Sequence, residues 1–266
     1  MDIPRMKTIV ITFLAISLTG LAENFLGESK DTENLLIPGL LLTFDDRNML
    51  NWEKQIPLFA KYDAHVTFFV DHFDELTSEQ LKALQKLKEA GHAIGCHGLR
   101  HIKAVDYCDK NSVEKYISDE ILPAIEIMQK KGFPPNCFAY PQSNSSEVTD
   151  AALLKYFYYL RSGCSREKEI VNTEKAFVKI ENIKEKSTLY GISFHPKLRT
   201  DDIVVQVKCA LDRIKRNKEL LVLYAHDIRN ENEKGSKNFI TIEALEEILD
   251  YAKRNQIKLY SYDELP

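Results

Sequence analysis

"LLLTFDDRN", residues 40–48, places two acids at the end of a greasy run and follows them with an arginine. A β-strand covered on both faces reads as an unbroken hydrophobic stretch, so Leu40, Leu41, Leu42 and Phe44 read as a buried strand. That reading leaves Asp45 and Asp46 unexplained. Adjacent carboxylates repel and lose hydration unless something positive lies close by. A metal ion meets that need, provided the rest of the chain supplies its other ligands.

Moving outward, the chain alternates strands and helices. Strands are expected at 40–44, 65–70, 93–96, 137–140, 157–160, 190–194, 220–225 and 257–260. Thr77 with Gln80 three residues on is a capping box opening a helix over 78–90, and Gly91 ends it. Ile203, Val204, Val207, Ala210, Leu211 and Ile214 share one face of a helix over 202–217. Ile242, Leu245, Ile248, Leu249 and Ala252 do the same over 242–255. Such alternation predicts an α/β domain with a parallel sheet, open or closed. Parallel sheets place function at the C-terminal ends of their strands.

At those ends stand Asp45 and Asp46, His97 and His101, and, after a late strand, His226. A spacing of four puts His97 and His101 on one face if their loop takes a helical turn. Two histidines and a carboxylate, with positions left open, form a common catalytic zinc arrangement. A single strand-end histidine is more simply a hydrogen-bonded structural residue; the combination points to an ion. "CFAYPQS" ends the fourth strand with a turn forced by Pro141, and "FYYLRSG" carries Arg161 at the edge of the fifth.

These motifs resemble the NodB-homology polysaccharide deacetylases, carbohydrate esterase family four. The family's T-F-D-D motif is matched by Thr43-Phe44-Asp45-Asp46, and its H-[S/T]-x-x-H by His97-Gly98-Leu99-Arg100-His101. "HVTFFV", the "LKEAGHAIGCH" approach and a looser late match ending at His226 extend the resemblance over residues 38–266. The resemblance implies an irregular (β/α) barrel of seven or eight mostly parallel strands. It implies Asp45 as general base, Asp46, His97 and His101 as metal ligands, and His226 as general acid. The implied cofactor is a divalent metal, Zn²⁺ first, with Co²⁺ or Ni²⁺ as alternatives. The implied substrate is an acetylated polysaccharide or glycan.

The sequence also departs from the family pattern. Arg47 replaces a glycine, either holding Asp45 ionised or serving as an ordinary loop charge. Gly98 removes the hydroxyl of the second motif. Ala139 stands where the third motif has an arginine that orients the base, and Gln142 where it has an aromatic residue. Arg161 either replaces that arginine or is an ordinary strand-end charge; Tyr140 and Pro141 are further candidates for contacting substrate or orienting the base. The fourth motif, an Asp near a Trp, is missing; the sole tryptophan is Trp52. His226 then leans on Asp227 or Asp202, while His195 reads as a structural histidine or a groove residue. These losses motivate a rival reading, a non-catalytic carbohydrate-binding domain on the same fold.

Whole-chain properties set the outer bounds. The 266 residues, 44% hydrophobic and 29% charged, suffice for a sizeable core. A net charge of −4 offers no basic footprint for nucleic acid. Arg5 and Lys7 precede "TIVITFLAISLTGLA", an apolar stretch with small Gly20 and Ala22 at its end. That order reads as a signal peptide over 1–22 and a polar linker over 23–37, with a buried N-terminal strand or helix as the alternative. Export to the periplasm, cell envelope or medium would follow, with no stable membrane span after signal removal. Cys96, Cys108, Cys137, Cys164 and Cys209 show no zinc-finger spacing, and an exported chain could pair some of them.

Overall fold

The strands, in chain order, are β1 (Gly39–Asp45), β2 (Thr67–Val70), β3 (Ala93–Cys96), β4 (Cys137–Ala139), β5 (Tyr159–Gly163), β6 (Phe177–Lys179), β7 (Thr188–Ser193), β8 (Glu219–Ala225), β9 (Asp227–Ile228), β10 (Phe239–Ile240) and β11 (Lys258–Tyr260). This computed structural model describes residues 37–165, 167–195, 202–235 and 238–266. The signal peptide expected over 1–22 and, save for Ile37, the linker over 23–37 lie outside them.

Seven parallel strands close on themselves in the order β1, β2, β3, β4, β5, β7, β8 and back to β1. The closing ladder runs from Gly39 opposite Leu220 to Phe44 opposite Ala225. The eighth expected strand, β11, stays outside the ring. It pairs with Gly39–Leu41 at the lower half of the edge whose upper half, Thr43–Asp45, takes β2. The fold is therefore the irregular barrel that the resemblance implies.

Closure sorts side chains by parity, because successive strand residues face opposite sides. Leu40, Leu42 and Phe44 face outward into the main core, together with Phe68, Ile94, Phe138, Leu160, Leu221 and Leu223. Leu41, Phe69, Cys137, Ala139, Tyr159, Leu189, Leu220 and Val222 fill the bore. The bore is tight: a Cβ at Gly95 would lie 2.5 Å from the Phe69 ring and 2.8 Å from the Cys137 sulfur. β1 is buried along its whole length, as a strand with a helical layer on one face and a filled bore on the other must be.

The helices form the outer layer. The capping box is present: the Thr77 Oγ1 accepts from the Gln80 N–H at 3.2 Å, and Gln80 Oε1 accepts from the Thr77 N–H at 2.9 Å. This helix spans Ser78–Glu89, and Gly91 takes a φ of +91° beyond it. Ile203–Asn217 and Ile242–Arg254 bury the apolar faces expected of them. From Val113 to Lys130 the chain is helical with a wide π-turn at Ile117–Ile121, just before Pro123, which has no N–H to continue a regular ladder. All five cysteines are free thiols.

Candidate metal centre

Parity decides which strand-end side chains meet. Asp45 lies two residues beyond Thr43 on the inward-facing side of β1, so its carboxylate enters the mouth of the bore. Asp46 should then face outward, but its φ of +78° swings the backbone round at the strand end. Both neighbouring acids thereby address one rim.

His97 follows β3 on the inward side and is buried. Its Nδ1 lies 2.7 Å from the Ala139 carbonyl, which can only accept. The proton is therefore on Nδ1, and the Nε2 lone pair points to the rim. Burial lowers its pKa, with Asp45 opposing and His101 reinforcing, so the ring is held neutral. His101 reaches the same place by a route that the spacing argument did not foresee. Residues 98–103 form no helical turn; the loop instead turns back at Gly98 (φ +86°) and His101 (φ +56°). The two imidazoles meet edge to face, 4.8 Å between centroids.

Asp46 Oδ1 lies 3.7 Å from His97 Nε2 and 3.6 Å from His101 Nε2. The three donors all lie within 4.8 Å of one another. Donors about 2.0–2.1 Å from a tetrahedral ion stand roughly 3.3 Å apart, so small movements would close the group around a divalent cation. Two neutral-capable imidazoles and a carboxylate form a donor set suited to such an ion, and its site would remain open on the cavity side.

Asp45 Oδ2 forms a buried ion pair with Arg161 Nη2. Arg161 is only 1% exposed, in the middle of β5 rather than at its edge, because the strand begins later than expected and carries the side chain inward. Its guanidinium also lies 4.7 Å from the Tyr224 ring centroid. Burial alone would raise the Asp45 pKa, but Arg161, followed by His97 and His226, outweighs it and holds the carboxyl below its usual range. Arg47 does not contact it: its charge goes to Asp71 and Glu75, at 3.3 and 3.1 Å. Asp45 Oδ1 is buried without a hydrogen-bond partner, in a residue that lines the cavity.

His226 lines the same cavity, with Nε2 3.9 Å from Asp46 Oδ2. Its support differs from the expectation. Asp227 turns away to Asn51 and the Ile228 N–H, and Asp202 caps the helix that starts at Ile203. The partner is His195, whose Nε2 lies 3.0 Å from His226 Nδ1 while its own Nδ1 lies 2.9 Å from Ser193 Oγ. Burial, reinforced by His226, pushes the His195 pKa down to about 3, so it serves as a neutral link. Trp52, which the sequence set apart from the site, donates its indole N–H to the His226 carbonyl at 2.8 Å. Neither contact belongs to a local motif, and a strand-end histidine two residues past Ser193 was the one available signal.

The sequence model described as polysaccharide deacetylase matches residues 35–159, which carry Asp45, Asp46, His97 and His101. The chain belongs to the polysaccharide deacetylase family. Solved structures of family members share the fold. A chitin deacetylase from the fungal pathogen Colletotrichum lindemuthianum has a TM-score of 0.57 at 15% identity, over 86% of this chain and 87% of that one. A Streptococcus mutans CE4 esterase has a TM-score of 0.54 at 17% identity, over 85% and 87%. A family 4 carbohydrate esterase from Streptomyces lividans, in complex with acetate, has a TM-score of 0.53 at 14% identity, over 84% and 93%. Identities this low establish likeness of fold alone. No curated protein sequence matches the chain.

In this deacetylase-family chain the candidate centre opens into a cavity of about 360 Å³ whose lining includes Asp45, Tyr140, Gln142, Ser143, Arg161 and Tyr224. Tyr140 is fully buried, its ring edge-on to Phe138 at 5.2 Å, and Pro141 is buried beside it. A second cavity of about 590 Å³ shares Asp46 and His101 with the first. Four non-glycine residues in left-handed conformation, Asp46, His101, Gln142 and Ser143, line the smaller cavity, a concentration of strain common where function fixes the backbone.

Proposed function

We propose that the chain is a metal-dependent hydrolase that removes acetyl groups, N-acetyl foremost, from a polysaccharide or glycan. The observation that carries this reading is that Asp45 and His226 line the same cavity as the three-donor centre. Asp46, His97 and His101 would hold the ion, Zn²⁺ first and Co²⁺ or Ni²⁺ as alternatives. When bound, it supplies Lewis acidity, lowering the pKa of water from about 16 to about 7 and favouring charge on the carbonyl oxygen.

The residues divide the remaining work. Arg161 occupies Oδ2 of Asp45 and keeps the carboxylate ionised, so Oδ1 accepts the proton of the attacking water. A carboxylate held below its usual range is a poor base toward ordinary water, so the role suits only a water made acidic. The amine leaves badly unless protonated, and His226 delivers that proton from Nε2. In the protonated form its Nδ1–H must donate to His195 Nε2, which in turn sets the His195 Nδ1–H toward Ser193 Oγ. Tyr140 and Pro141 act by shaping the wall rather than through ring contacts. The adjoining larger cavity, which shares Asp46 and His101 with the first, gives a chain-like substrate further room beside the centre.

The rival, a carbohydrate-binding domain without activity, rested on two missing motif residues. Arg161 supplies a cation to Asp45 and His195 supplies a partner to His226, which favours catalysis. Acetate release from oligomers of N-acetylglucosamine, present in the native chain and abolished in Asp45→Asn, is the test; stoichiometric metal with no release from any acetylated glycan would favour the rival. Export is part of the proposal, on the charged-then-apolar order of residues 5–22, and it requires a mature N-terminus near Glu23.

A further inference from the structure

Glu120 is a fully buried carboxylate on the π-turn, outside the three-donor centre, and its hydrogen bonds go to the loop that carries His101. Its Oε1 and Oε2 accept from the Arg100 N–H at 2.9 and 3.0 Å, and Oε1 also accepts from the Ile102 N–H at 3.2 Å. These donors sit on either side of His101, whose left-handed backbone is costly for a residue with a Cβ and must be held by its surroundings. Charge-assisted bonds to an ionised acceptor are the strong kind. Among the described residues, no other side chain bonds both N–H groups.

Gly98 completes the argument. A Cβ built there would lie 2.4 Å from Glu120 Oε1, far inside any real contact, and its φ is +86°. Glycine at this position is thus the condition for the carboxylate to enter. Where the related motif carries a hydroxyl side chain within the loop, this chain brings an acid from a helix underneath. We propose that Glu120 is a positioning residue for the metal centre, fixing His101 through the backbone on both sides of it, and that Gly98 is glycine to admit it. The inference rests on the reading of Asp46, His97 and His101 as metal ligands.

The test is chelator competition for Zn²⁺ by the metal-free chain, with the visible spectrum of the Co²⁺ form as a second readout. Residues that orient metal ligands typically change affinity 10–100-fold when removed. Glu120→Ala should therefore bind Zn²⁺ about 10–100-fold more weakly and shift the Co²⁺ bands. Glu120→Gln keeps one acceptor for both N–H groups and should fall between Ala and the native chain; it also carries the test if Glu120→Ala does not fold. Gly98→Ser should weaken binding by expelling the carboxylate, and adding Glu120→Ala to it should cause little further loss. Folded Glu120 variants with affinity within about threefold of the native chain, and unaltered Co²⁺ bands, overturn the inference alone. A native chain that binds no Zn²⁺ overturns it together with the metal-site reading.

Discussion

Replacing Arg161 by methionine probes the pair on which the proposed base depends. The guanidinium and carboxylate side chains are 1% and 4% exposed, so solvent screens neither. Breaking a buried pair by removing one partner strands a charge and costs about 3–5 kcal/mol. Methionine keeps most of the volume and removes the charge, leaving Asp45 with burial as its dominant influence. Its carboxyl then titrates above the unfolded value of about 3.9, so the variant is least impaired when Asp45 is protonated. The deficit should be largest near neutral pH and shrink as the pH falls toward 4. Asp45→Asn alone strands Arg161 instead, whereas Asp45→Asn with Arg161→Met removes both charges and should be more stable than either single variant. Guanidinium denaturation of the four metal-free chains between pH 4 and 8 measures the cycle. A loss under about 1 kcal/mol for Arg161→Met, or additivity in the double variant, would refute the reasoning.

Three further outcomes follow from other contacts. His195→Phe, which removes both of its hydrogen bonds, should lower kcat by about 10-fold or more with KM and Zn²⁺ affinity nearly unchanged, and His195→Asn should recover part of the loss; equal kcat in all three chains would refute the link. Burial, reinforced by the neighbouring His65, pushes the His92 pKa down to about 4. The unfolded chain takes up that proton first, so the contribution of neutral His92 is full above about 6.5 and is lost as the pH falls toward 4, roughly 3 kcal/mol in all. His92→Phe should flatten the stability–pH curve over that window, and an unchanged slope in denaturation measurements would contradict it. Gly95→Ala forces a methyl against Phe69 and Cys137 in the bore, and a loss of about 1–3 kcal/mol in thermal or denaturant unfolding is expected.

Much of this was legible in the sequence because it is local and periodic. β1 declared itself by its apolar run, and the capping box placed the helix at Ser78 to within its first turn. Closure of the ring was not readable from alternation, which permits open and closed sheets alike. β6, β9 and β10 escaped notice because two or three residues carry no period. Asp45, Asp46, His97 and His101 were found through short spacings. Arg161 was left open between orienting the base and serving as a strand-end charge, and the contacts of His195 and Trp52 with His226 were not foreseen, since they act across 31 and 174 residues of sequence. Gly98 read as a lost hydroxyl until its neighbour was seen; the explanation lies in Glu120, and only the folded chain brings the two together.

Titration of the metal-free chain with Zn²⁺, with acetate release from N-acetylglucosamine oligomers followed at each addition, tests the central claim most directly. Release should be absent at the start, rise with added ion and level off near one equivalent per chain. Release that is unaffected by the ion, or none at full loading, would contradict a hydrolytic centre built from Asp46, His97 and His101 with Asp45 and His226 beside it.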